Sequence, residues 1–149
     1  MIKEGKMLLR RRSQKVDLLK KVPLFSKLSK RHLNEIAKHA DQLSIRAGRV
    51  LAKQGSTGRE FVFIVDGSAQ VKKDGKVIRQ ISAGDFFGEI SMIDGEPRTA
   101  TVIAETDSTL LLVNSRSFDH LLNTIPGLQK KIMVALCKYI RRAEEVVNR

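Results

Sequence analysis

The Asp74-Gly75 pair constrains this chain more than any other feature. Ahead of it Ala69 and Val71 alternate with Gln70 and Lys72, and behind it runs Val77-Ile78-Arg79-Gln80-Ile81. A two-residue Asp-Gly link between alternating runs predicts a hairpin, because both central residues of the favoured turn need positive φ. The neighbouring text continues in the same style. Phe61-Val62-Phe63-Ile64-Val65 is a β-branched and aromatic run stopped by Asp66-Gly67. Leu43, Ile45, Val50 and Leu51 lie in short pieces punctuated by Gly48, Gly55 and Gly58, and Thr99–Ala104 and Thr109–Val113 are further strand candidates. Short strands at this spacing predict a small all-β barrel or sandwich.

The periodicity differs at both ends. Val16, Leu18, Leu19 and Val22 precede Pro23, which should stop that helical segment. With Ser26 or Ser29 as a cap, Leu33, Ile36, Ala37 and Ala40 then recur on one face of an amphipathic helix. Phe118, Leu121, Leu122 and Ile125 repeat the helical spacing up to Pro126-Gly127. A longer helix carries Leu128, Ile132, Met133, Leu136, Tyr139, Ile140, Ala143 and Val147. The expected fold is therefore mainly β with flanking helices. It is an antiparallel, jelly-roll-like β-roll with an N-terminal helical unit and a C-terminal helix pair. Residues 1–14 read as a basic arm and 15–149 as one domain.

Charge narrows the partners. The net charge is +12, and it sits on the ends: residues 1–31 carry eleven Lys and Arg against Glu4 and Asp17, and residues 129–149 carry six against Glu144 and Glu145. The centre is nearly neutral. Such ends suit an anionic surface or a solvated helical face equally. The single cysteine, Cys137, excludes an intrachain disulfide and a multi-cysteine zinc site, and its place beside Leu136 predicts a core position. No apolar run reaches the length of a membrane span, and the basic N-terminus lacks the apolar stretch of a signal peptide. A cytoplasmic location is expected.

The chemistry lies between Gly84 and Val102. Gly84, Gly88 and Gly95 permit close approach of backbone to a ligand. Glu89 stands in an apolar run beside Phe86, Phe87 and Ile90, and Arg98 precedes a strand. A short helical turn over Ser91, Met92 and Ile93 would aim backbone N–H groups at an anion. An arginine suits phosphate oxygens, and a carboxylate accepts bonds from sugar hydroxyls. On composition alone, a Glu89–Arg98 ion pair closing a loop explains the same residues.

The text from Phe86 to Val102, FFGEISMIDGEPRTATV, resembles the phosphate-binding cassette of the cyclic-nucleotide-binding domain family. That family includes regulatory subunits of cAMP-dependent protein kinase, cyclic-nucleotide-gated channels and bacterial catabolite-activator-type regulators. The resemblance extends over residues 18–149. It includes Gly55, Gly58, Phe61–Ile64, Gly67, the approach Ile81–Phe86, and Val22-Pro23-Leu24-Phe25. It implies that Glu89 accepts the ribose 2′-hydroxyl and that Arg98 pairs with the cyclic phosphate. The backbone of Gly88, Ile90, Ser91 and Ala100 would complete the pocket. Thr99 permits cGMP without requiring it. Val71 and Val102 are candidates for an apolar base pocket, and plain core positions on the other reading. Tyr139, Arg142, Ala143 and Val146 are candidates for a lid over the base.

The expected ligand is thus cAMP or cGMP, with no cofactor, no catalytic residues and no metal site. His32, His39 and His120 are scattered, and no pair of them has ligand spacing. The expected function is a regulatory module that relays ligand binding through its C-terminal helices to an effector. Two rivals are a fragment of a nucleic-acid-binding regulator and a degenerate interaction module. The long helix runs to the end at Arg149, so a helix-turn-helix after it is expected only if the sequence is part of a longer chain, and the presence of Glu89 and Arg98 argues against degeneracy. A monomer, or a homodimer through the last helix, fits the pattern.

Overall fold

The computed structural model of the chain describes residues 6–8, 12–88 and 94–147. In chain order it contains β1 (Lys6–Leu8), α1 (Arg12–Leu19), α2 (Lys30–His39), β2 (Asp41–Ile45), β3 (Val50–Ala52), β4 (Glu60–Asp66), β5 (Ser68–Lys73), β6 (Lys76–Ser82), β7 (Phe86–Phe87), β8 (Thr101–Ala104), β9 (Ser108–Asn114), α3 (Ser115–Thr124) and α4 (Leu128–Val147). The strands form two antiparallel sheets, one ordered β1-β2-β9-β4-β7 and the other β3-β8-β5-β6. This is the antiparallel β-roll with flanking helices that the sequence predicts.

The hairpin forms where the Asp-Gly pair places it. Asp74 has φ 52° and Gly75 has φ 80°, and β5 pairs with β6 across them. Local chemistry also sets the helix boundaries. The Ser29 hydroxyl accepts a hydrogen bond from the His32 N–H at 3.2 Å and opens α2; the Asn114 Oδ1 accepts one from the Ser117 N–H at 2.8 Å and opens α3. Between α1 and α2 the chain passes Pro23 in successive tight turns, with Val22, Phe25 and Leu28 each donating to the carbonyl three residues back.

β4 explains the unbroken apolar run of Phe61–Val65. Alternate side chains of a strand point to opposite faces, and here both faces are covered. Phe61, Phe63 and Val65 join α1–α4 in one core, with Leu19, Ile36, Phe118, Leu128 and Ile132. Val62 and Ile64 enter the space between the two sheets, with Leu110, Leu112, Ala69, Ile81 and Val102. The helices are thus a layer on the outside of the five-stranded sheet, and the second sheet closes its inner side. Phe86 and Phe87 divide between the two cores in the same way.

Within the N-terminal stretch, Lys6, Met7 and Leu8 pair with Ser44, Leu43 and Gln42 along the edge of β2, and α1 begins at Arg12. Edge pairing uses backbone groups, so the side-chain pattern does not mark it. Cys137 is exposed rather than core. The apolar stripe of α4 is used in part. Leu128 and Ile132 are buried, Leu136 and Tyr139 are half-buried, and Met133 and Ile140 face solvent. Among the described residues no helix is long and apolar enough to cross a membrane.

Candidate ligand site

The turn from β6 into β7 is tied to the centre of the roll. The Gly84 N–H donates to the Ile64 carbonyl at 2.8 Å, and the Ile64 N–H donates to the Asp85 carbonyl at 2.9 Å. The Asp85 carboxylate accepts from the Ser82 N–H at 2.9 Å. These bonds set Phe86 against Phe63 and Phe87 against Val62 in the β4–β7 pair. The chain then reaches Gly88, whose φ of 94° lies in the left-handed region. A Cβ at Gly88 would fall inside contact distance of the Glu60 carbonyl and 3.4 Å from Arg98 Nη1.

Arg98 is held by its main chain. Its N–H donates to the Ser56 carbonyl at 2.7 Å, and its carbonyl accepts from the Gly55 N–H at 2.9 Å. The 53–56 turn is itself braced. The Gln54 N–H donates to Thr101 Oγ1 at 2.9 Å, and the Gln54 side chain exchanges hydrogen bonds with Asp74. The hairpin tip, the 53–56 turn and the start of β8 therefore position Arg98 together. Its side chain is half-buried and reaches toward Gly88. A permanent cation beside a glycine that tolerates no side chain is an arrangement suited to an anion approached closely by backbone.

The other expected site residues divide as follows. Glu89, Ile90 and Ser91 lie outside the described residues. Thr99 is exposed, and Ala100 is half-buried against the core between the sheets. Val71 and Val102 are direct partners across β5 and β8 and are 5% and 4% exposed, within that same core. Of the lid candidates, Tyr139 meets the roll: its ring lies 5.7 Å from that of Phe86, and the Arg79 guanidinium sits 4.6 Å above its centroid. Arg142 and Ala143 are exposed, and the side chain of Val146 lies outside the described residues. Arg142 lines a groove of about 590 Å³ with Leu24, Gly84, Asp85, Lys138 and Tyr139. Arg79 is absent from the residues that the sequence singles out. It shares a face of β6 with buried Ile81, and that two-residue spacing is the mark that could have found it.

Replacing Gly88 by Ala is expected to destabilise the fold by about 2 kcal/mol or more, from left-handed strain and the collision with Glu60. Gly95 is the comparison. It has φ 75° with nothing within 4 Å of an added Cβ, so Gly95→Ala should cost only the conformational strain, about 1 kcal/mol. Urea unfolding of the two variants measures the difference; equal losses would remove the collision from the explanation.

Comparison with known proteins places these features in context. A family model described as "Cyclic nucleotide-binding domain" matches residues 42–125. A cyclic nucleotide-gated potassium channel of Mesorhizobium japonicum is 38% identical over 74% of this chain and 31% of its own length. A cAMP-dependent protein kinase regulatory subunit of Schizosaccharomyces pombe is 36% identical over 76% of this chain and 28% of its own. The chain thus spans about a third of the length of these relatives. Among solved structures, cAMP-bound PfPKA-R superposes with a TM-score of 0.80 at 26% identity, covering 91% of this chain and 47% of that one.

Proposed function

The chain belongs to the cyclic nucleotide-binding domain family, and from that premise we propose that it is a regulatory module whose segment between β7 and β8 binds cAMP. The observation that carries this reading is the approach of Arg98 Nη1 to Gly88, with the Arg98 main chain held by Gly55 and Ser56. The guanidinium pairs with the cyclic phosphate, and Glu89 accepts the ribose 2′-hydroxyl. Backbone groups of Gly88, Ile90, Ser91 and Ala100 complete the cradle. Thr99 leaves room for cGMP as a second ligand. The base lies toward Val71 and Val102, with α4 supplying the lid from Tyr139, Arg142, Ala143 or Val146. The named ligand of a structural neighbour, cAMP, supports the same choice. The chain carries no catalytic role in this reading, and it works in the cytoplasm.

The relay runs through α4. Tyr139 touches Phe86, only two residues before Gly88, so a ligand that binds the segment after Gly88 acts on the strand against which α4 packs. The ligand shifts α4 only by its differential affinity for the two arrangements. Calorimetric titration with cAMP and with cGMP tests the binding, and hydrogen exchange of α4 tests the relay. One cAMP per chain is expected, with altered exchange in α4 at saturation. No heat at high micromolar cAMP with folded protein overturns the reading; binding with unchanged α4 exchange removes the relay.

A further inference from the structure

The fold gathers residues that look unrelated in the chain. Glu35 and His39 are one turn apart on α2, and α3 brings His120 against them. Glu35 Oε1 lies 3.4 Å from His120 Nε2 and 3.6 Å from His39 Nε2. All three ligand atoms fall within 4.8 Å of one another. Around a tetrahedral zinc ion with bonds of about 2.0–2.1 Å, neighbouring ligand atoms stand about 3.3–3.4 Å apart. Both distances from Glu35 are close to that already. The third closes by rotation of the His120 ring, whose side chain is 46% exposed.

An independent contact prepares His39. Its Nδ1 is 3.2 Å from Ser117 Oγ. In the tautomer whose Nδ1 donates to that hydroxyl, the Nε2 lone pair is directed to Glu35 Oε1, as metal ligation requires. A partner fixing the second ring nitrogen is the usual support of a metal-binding histidine. Lys38 Nζ holds the other carboxylate oxygen at 3.6 Å, which leaves Oε1 to the histidines.

We propose that Glu35, His39 and His120 form a binding site for a divalent transition-metal ion of the zinc class, bridging α2 and α3 with a fourth position open to water. Two imidazoles and one carboxylate select zinc, nickel or copper over magnesium and calcium. A bound ion clamps the N-terminal helical unit to the first helix of the C-terminal pair, so it raises the melting temperature as its concentration rises.

The test uses the full chain with Cys137→Ser, which removes the exposed thiol as a competing ligand. Calorimetry with Zn²⁺ is expected to give one ion per chain with micromolar or tighter affinity, undisturbed by excess Mg²⁺. Co²⁺ should give tetrahedral d–d absorption. His120→Ala and His39→Ala should each weaken binding at least tenfold, and Ser117→Ala by about 10–100-fold, with far-UV circular dichroism unchanged. Absence of stoichiometric zinc binding overturns the proposal. So does binding that survives the double variant H39A/H120A, or a cobalt spectrum without tetrahedral bands.

Discussion

Replacing Arg98 by Leu is expected to weaken cAMP binding at least about thirtyfold while leaving the melting temperature close to that of the parent chain. The two halves of this expectation have separate causes. Removing one member of a desolvated, hydrogen-bonded charge pair costs about 2–5 kcal/mol of binding, and each ~1.4 kcal/mol is a factor of ten. The fold is expected to be spared because two of the bonds that hold this position use the Arg98 main chain, to Ser56 and from Gly55, and leucine keeps both. Arg98→Lys should fall between the two, since a lysine supplies the charge without the planar fork. Calorimetry paired with thermal melts separates the effects. Equal cAMP affinity in the leucine variant would move the phosphate away from Arg98; a collapsed melting temperature would make Arg98 a structural residue first.

Phe61→Ala is expected to be the most damaging single core substitution among these predictions, with a loss of about 3–5 kcal/mol. Phe61 is fully buried. Its ring stacks on Phe63 at 4.5 Å and meets Phe118 at 4.7 Å and Phe86 at 5.2 Å. One side chain therefore joins β4, α3 and β7, and its removal leaves a cavity that none of these elements can fill alone. For a chain of this size the melting temperature should fall by roughly 10 °C. Phe86 leads directly to Gly88, so the damage reaches the candidate site as well. If the native fold binds cAMP, ligand at a hundred times its dissociation constant should return about 2.7 kcal/mol to the variant. Chemical denaturation with and without cAMP measures both quantities. A loss below about 1 kcal/mol would mean that the cluster repacks freely around the gap.

Features governed by neighbouring residues are legible in the amino-acid sequence itself. The hairpin at Asp74-Gly75 follows from backbone conformations that those two residues adopt readily. The start of α2 at Ser29 and the break at Pro126-Gly127 are likewise local chemistry. The stretch from Phe86 to Val102 carries its resemblance in adjacent letters, and the family match over residues 42–125 includes it. The run Phe61–Val65 marks a strand buried on both sides, but not which neighbour covers which face. Register and layering decide that, and they depend on partners such as Leu111 and Phe86, far along the chain.

The Asp74-Gly75 turn and its flanking alternation thus determined by themselves that β5 and β6 form a hairpin, because turn conformation and strand period are set within a few residues. The tertiary structure alone decided that Lys6–Leu8 add a strand to β2, that Cys137 faces solvent, and that Tyr139 meets Arg79 and Phe86. It also decided that His120 stands beside Glu35 and His39. Each of these joins groups distant in sequence or turns one face of a helix outward. Such pairings follow from how whole layers pack to bury two cores, and no local period records them.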